Sequence, residues 1–272
     1  MRLRGFLIVV IALTGPPAMA QITLSGEAIQ GGLLQGRAPA GSTATFQGKK
    51  IAIAPNGTFA LGFDRDAKPS ASLSVRTADG KVITRQIAVK QRKYKIQRID
   101  GLPGRKVSPK KRDMKRIIAE NKLLVAARRR LSLEALFENG FIWPAKGRIS
   151  GTYGSQRILN GKPRRPHLGL DIAAPTGTPV AAAADGVVAL THEDMFFTGK
   201  TVLIDHGLEV GTTYIHMSAI KVKNGQRVRR GQLIGHIGKT GRSTGPHLHW
   251  GLTWRGVRLD PATVVGPMPK KK

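Results

Sequence analysis

Apolar and polar positions alternate with a period of two through much of residues 21 to 98. Ile51/Ile53, Phe59/Leu61/Phe63, Leu73/Val75 and Ile87/Val89 each turn one strand face to a core and the other to water. Turn signals at Ala40-Gly41-Ser42, Pro55-Asn56-Gly57, Lys68-Pro69-Ser70 and Asp79-Gly80 cut the stretch into short strands. This pattern predicts a small β-sandwich. It contains no histidine, and its only acids are Glu27, Asp64, Asp66 and Asp79, so it offers little for catalysis. Packing, targeting and regulation all stay open as its role.

The period then changes. Met114, Ile117, Ile118, Leu124 and Leu131 recur at near-helical spacing, which predicts a helix over about 109 to 130 with its basic residues outward and this stripe as a packing surface. Ser108-Pro109 reads as its N-cap and first position. From Phe141 onward the chain is rich in glycine and β-branched residues. Strands are predicted at Gly186 to Leu190, Thr201 to Asp205, Thr212 to Met217, Gln232 to Ile237 and His247 to Leu252. The fold expected is mainly β, in five parts: a leader (1–20), an accessory β-sandwich (21–98), a basic helical linker (99–140), a glycine-rich antiparallel β domain (141–265) and a basic tail (266–272).

The leader runs from Arg2 and Arg4 through the apolar stretch Phe6 to Leu13 to Ala18-Met19-Ala20, the pattern of a cleaved signal peptide. Eight apolar residues are too few to span a bilayer, which needs roughly twenty. The expectation is therefore export, to the periplasm first and the extracellular space second, with no transmembrane segment in the mature chain. The absence of cysteine excludes a cysteine nucleophile or a thiolate-held metal, so any metal must rest on His, Asp or Glu.

The formal charge is +29, and residues 85 to 130 carry seventeen Lys or Arg against Asp100, Asp113 and Glu120, a net of +14. A polyanionic partner follows. In an exported protein that partner is expected to be the acidic cell envelope, not nucleic acid.

All seven histidines lie beyond residue 141. His167 and Asp171 stand four apart, flanked by Pro166 and Pro175, which disfavour a helix. In His247-Leu248-His249 the strand period puts both imidazoles on one face and Leu248 on the other. The same period pairs Tyr214 with His216. His206, His192 and His236 fall outside these groupings, and His206, Asp205 and Asp185 read as turn or hydrogen-bonding residues.

Together these elements resemble the M23 (lysostaphin and LytM-like) metallopeptidases, with their H-x(3)-D and H-x-H motifs. The likeness runs through HLGLDIAAPTGTPVAAAADGVV (167–188), TVLIDHG (201–207), YIHMS (214–218) and VKNGQRVRRGQLIGHIGKTGRSTGPHLHWGL (222–252). It covers roughly 142 to 262. The resemblance implies one zinc ion held by His167, Asp171 and His249, with His216 and His247 as the catalytic pair in undivided roles. It also implies hydrolysis of peptidoglycan peptide crosslinks by a water that the zinc activates. The alternative is a degenerate family member that regulates other wall hydrolases, which would be expected to lack one or more of these residues.

Overall fold

A computed structural model describes residues 21–129 and 132–269. The leader, Leu131 and the last three residues of the tail lie outside the described residues.

The N-terminal part contains strands β1 (Thr23–Ser25), β2 (Leu33–Arg37), β3 (Thr43–Phe46), β4 (Lys49–Ile51), β5 (Thr58–Gly62), β6 (Ser70–Arg76) and β7 (Val82–Ala88). They form two antiparallel sheets, in the orders β1-β2-β5 and β4-β3-β6-β7, with Leu34, Phe46, Phe59, Leu61, Leu73 and Val75 buried in one core. The alternating residues account for this sandwich.

Next come β8 (Ile96–Ile99), a one-turn helix α1 (Gly104–Val107) and α2 (Lys111–Arg128). The position of α2 is as expected, but two details differ. Its N-cap is Lys110, whose backbone N–H donates to Asp113 Oδ2 at 3.2 Å, and Ser108 instead ends α1. The apolar stripe is only in part its packing face: Leu124 is buried and Ile117 half-buried, whereas Met114 and Ile118 are exposed. The inward face is Asp113, Glu120 and Leu124, spaced i, i+7 and i+11. Glu120 Oε2 accepts from the Phe196 backbone N–H at 2.7 Å, and Leu124 packs with Met195 and Leu203. Local hydrogen-bonding partners thus decide which side of the helix faces in.

The C-terminal part contains β9 (Arg148–Gly151), β10 (Gln156–Leu159), β11 (Lys162–Pro163), β12 (Leu170–Ala173), β13 (Pro179–Ala181), β14 (Gly186–Met195), β15 (Gly199–Asp205), β16 (Val210–Ile220), β17 (Arg227–Val228), β18 (Leu233–Ile237), β19 (His247–Trp254) and β20 (Val257–Leu259). Ten of these strands form one sheet whose main path is β17-β14-β15-β16-β19-β12-β9. A second small sheet, β11-β10-β8, includes a parallel pairing of β8 with β10 that brings the linker beside this region. Leu208, Val210, Leu252, Trp254 and Leu259 of the C-terminal part share one core with the sandwich, and Trp254 meets Phe46 edge to face at 5.8 Å. Among the described residues no helix is long and apolar enough to cross a membrane.

Candidate metal centre

β12 lies antiparallel to β19 in a register that sets Asp171 directly opposite His249. Their side chains share one face, the cross-strand neighbour position. Leu248 points the other way into the core, fully buried, as the strand period requires. His167 precedes β12, and its backbone N–H and C=O bond to Ser155 and Gly154, which turns the imidazole inward.

These three residues converge. Asp171 Oδ1 lies 3.0 Å from His167 Nε2 and 2.8 Å from His249 Nδ1, and the two ring nitrogens are 2.9 Å apart. His167 Nδ1 is 3.1 Å from the Thr152 carbonyl oxygen, which can only accept, so the ring proton sits there and Nε2 offers a lone pair. A proton on His249 Nδ1 serves the other two edges of the triangle. Along the His167–Asp171 edge two acceptors still face each other, an arrangement that calls for a cation. Ligand atoms roughly 2.0–2.1 Å from a tetrahedral zinc stand about 3.3 Å apart, a few tenths wider than this triangle. Two imidazoles and a carboxylate suit that ion, and among the described residues these are the three that cluster as candidate ligands.

Space around the triangle is tight. A Cβ added to Gly169 would stand 2.5 Å from His249 Nε2, and one on Gly151 2.3 Å from Asp171 Oδ2. Arg157 on β10 donates from Nη2 to Asp171 Oδ2 at 2.8 Å, leaving Oδ1 for the triangle. Burial pushes the Asp171 carboxyl up, but His167 and His249 outweigh it and hold the group well below the usual carboxylate range. Burial lowers His249 to about 4, against the pull of Asp171.

His247 lies on the same face of β19 as His249, its Nε2 3.9 Å from Asp171 Oδ1. His216 comes from β16, and here strand alternation fails. The register against β15 jumps between Lys200↔Met217 and Val202↔Tyr214, which leaves an extra residue on β16, and His216 has φ +65°. Below this bulge β16 pairs with β19; above it, with β18. Tyr214 and Met217 both enter the core, so Tyr214 does not share a face with His216, whose ring instead reaches His247 with centroids 4.8 Å apart. A non-glycine residue at positive φ is costly and concentrates at functional sites.

The two rings are held alike. His216 Nδ1 donates to the Thr240 carbonyl at 2.8 Å and His247 Nδ1 to that of Gly245 at 2.9 Å, so in each the Nε2 lone pair remains available. Burial, reinforced by His247 and His249, holds His216 well below the ordinary histidine range, hence neutral. Asp171, His216 and His247 open on a cleft of about 170 Å³ whose walls include Arg157, Arg242 and Gln97 of β8.

Arg157 and the β8 wall escape a reading of the sequence alone: Arg157 is one of 45 Lys and Arg, and the pairing of β8 with β10 spans about sixty residues. The remaining histidines stand apart. His206 is fully buried between the Asp185 carbonyl (2.6 Å from Nδ1) and Thr212 Oγ1 (2.7 Å from Nε2), a hydrogen-bonding role as expected. His192 Nδ1 accepts from the Asp194 N–H, and His236 sits on β18 opposite Pro179 and Ala219. Asp205 accepts from the Gly207 N–H and Asp185 from the Arg230 N–H, both at turns.

A mainly β chain with a His/Asp/His triangle beside two further imidazoles defines the class, and comparison with known proteins agrees. The sequence profile of Peptidase family M23 matches residues 165–261. A crystal structure from Pseudomonas aeruginosa assigned to peptidase M23 is 33% identical and covers 87% of this chain and 94% of its own, with a TM-score of 0.67. The chain belongs to peptidase family M23. It is also similar to the peptidoglycan DD-endopeptidase ShyA of Vibrio cholerae (44% identical over 133 residues, 47% of this chain and 31% of that protein). The DD-carboxypeptidase/endopeptidase Mpg of Neisseria meningitidis is 42% identical over 123 residues, 45% of this chain and 28% of that protein. The match thus spans about a third of the length of these curated relatives.

Proposed function

We propose that this protein is an exported zinc metalloendopeptidase that hydrolyses peptide crosslinks of peptidoglycan. The observation that carries the reading is the mutual approach of His167 Nε2, Asp171 Oδ1 and His249 Nδ1 within 3.0 Å of one another, next to two imidazoles with available Nε2 atoms. In this reading His167, Asp171 and His249 hold the metal and His216 and His247 are catalytic. Zinc bound there supplies Lewis acidity, lowering the pKa of water and polarising the scissile carbonyl.

The chain's own groups do the rest. His216 and His247, fixed through Nδ1 to backbone carbonyls, present Nε2 as bases or, once protonated, as donors to a developing negative charge. Arg157 orients Asp171 by holding its Oδ2. The names of the relatives support peptidoglycan as substrate, and the basic stretch over 85–130 supports attachment to the acidic envelope. The presence of all five side chains favours the enzyme over a degenerate regulator.

Metal content and muropeptide release from sacculi, measured on the full chain beside His249→Ala, test the proposal. Stoichiometric zinc and soluble muropeptides are expected from the parent alone, and equal metal with equal release from both proteins would overturn the assignment.

A further inference from the structure

The outward face of α2 is not used by the site. Met114, Ile118 and Val125, spaced i, i+4 and i+11, form an apolar ridge with exposures of 42%, 51% and 42%. Lys111, Lys115, Lys122 and Arg129 run beside it at i, i+4, i+11 and i+18, all exposed. Both acids of the helix are turned inward and engaged, Asp113 by Arg105 and Glu120 by Arg116 and the Phe196 N–H. The outer face therefore combines apolar side chains with positive charge and no negative charge. Arg116 Nη2 bonds Asp194 Oδ2 at 3.0 Å, and Leu124 is buried against Met195 and Leu203, so the large sheet presents this face rigidly.

We propose that this face of α2 seats the protein on an anionic lipid bilayer, with Met114, Ile118 and Val125 among the acyl chains and the flanking Lys and Arg at the lipid phosphates. The proposal rests on the envelope reading of the basic stretch and names its partner. Charge alone would suit any polyanion, including peptidoglycan carboxylates. A polar glycan-peptide polymer, however, offers an apolar ridge nothing, whereas a helix with an apolar and a basic flank matches the interface of a charged membrane, where each cation adds about 1 kcal/mol.

The chain has no cysteine, so Ile118→Cys in the full-length protein accepts an environment-sensitive fluorophore at one position. Val125→Cys serves as a second site on the ridge, and Lys81→Cys, at an exposed turn of the sandwich, as the control. Phosphatidylcholine vesicles with phosphatidylglycerol should shift emission to the blue at 118 and 125 and expose both labels to quenching by brominated acyl chains. Label 81 should not respond, and neither should any label with pure phosphatidylcholine or with purified sacculi. Lys111/Lys115/Lys122→Gln together should raise the lipid concentration for half-binding by on the order of a hundredfold.

Failure to bind anionic vesicles, equal shifts at 81 and 118, or a shift with sacculi alone would each overturn the proposal. So would a label at 118 already shielded in buffer, because another part of the chain would then cover the ridge. None of these readouts depends on zinc or on crosslink hydrolysis, so either reading can fail without the other.

Discussion

Arg157 and Asp171 meet through a single 2.8 Å hydrogen bond from the guanidinium to Oδ2, while Oδ1 of the same carboxylate faces His167 and His249. One oxygen is anchored and the other is left to the triangle. Partners of this kind set ligand orientation, and their loss typically costs 10–100-fold in metal affinity. Arg157→Gln should therefore weaken zinc binding by roughly that factor while the protein still folds, as read by competition with a chromophoric chelator. An unchanged affinity would mean that the triangle orients Asp171 unaided.

Gly169 makes a sharper case. Its Cβ would stand 2.5 Å from both Cε1 and Nε2 of His249 and 2.8 Å from the Trp250 carbonyl oxygen, closer than such atoms approach. The ring cannot yield without leaving the triangle. Gly169→Ala is expected to lose most bound zinc and most muropeptide release, both measured on purified protein. Retention of both at parental levels would show that β12 and β19 shift apart cheaply.

His206 predicts an acid sensitivity that does not depend on the site. Burial lowers its folded pKa to about 4, whereas an unfolded histidine titrates near 6.5. Above pH 6.5 both states are neutral and the group has no effect. As pH falls from 6.5 towards 4 the unfolded chain takes up a proton that the folded chain refuses, so stability is lost, by on the order of 3 kcal/mol once pH is below 4. Denaturant melts of the parent and His206→Gln between pH 7 and 4 should show a shallower decline in the variant. The other histidines cancel in that comparison, and parallel declines would exclude this role.

Regular geometry was legible in the sequence. His247 and His249 share a face because β19 is an undistorted strand, and the alternating pairs of the sandwich face its core for the same reason. Legibility ends where the backbone departs from its period. Alternation pairs Tyr214 with His216, but the bulge between Tyr214 and Met217 turns His216, and not Tyr214, into the cleft. The apolar stripe of α2 misleads in another way, since Asp113 and Glu120 hold the inward face through hydrogen bonds that hydropathy cannot register. Arg157 leaves no signal, because its role depends on where β10 lies beside β12, not on any local pattern.

The proposed chemistry requires one ion touching three named atoms. Crystals of the zinc-loaded full-length protein, with data collected on both sides of the zinc absorption edge, should give one anomalous peak per chain within roughly 2.0–2.2 Å of His167 Nε2, Asp171 Oδ1 and His249 Nδ1. A peak elsewhere, or none at the triangle in protein that carries stoichiometric zinc, would contradict it.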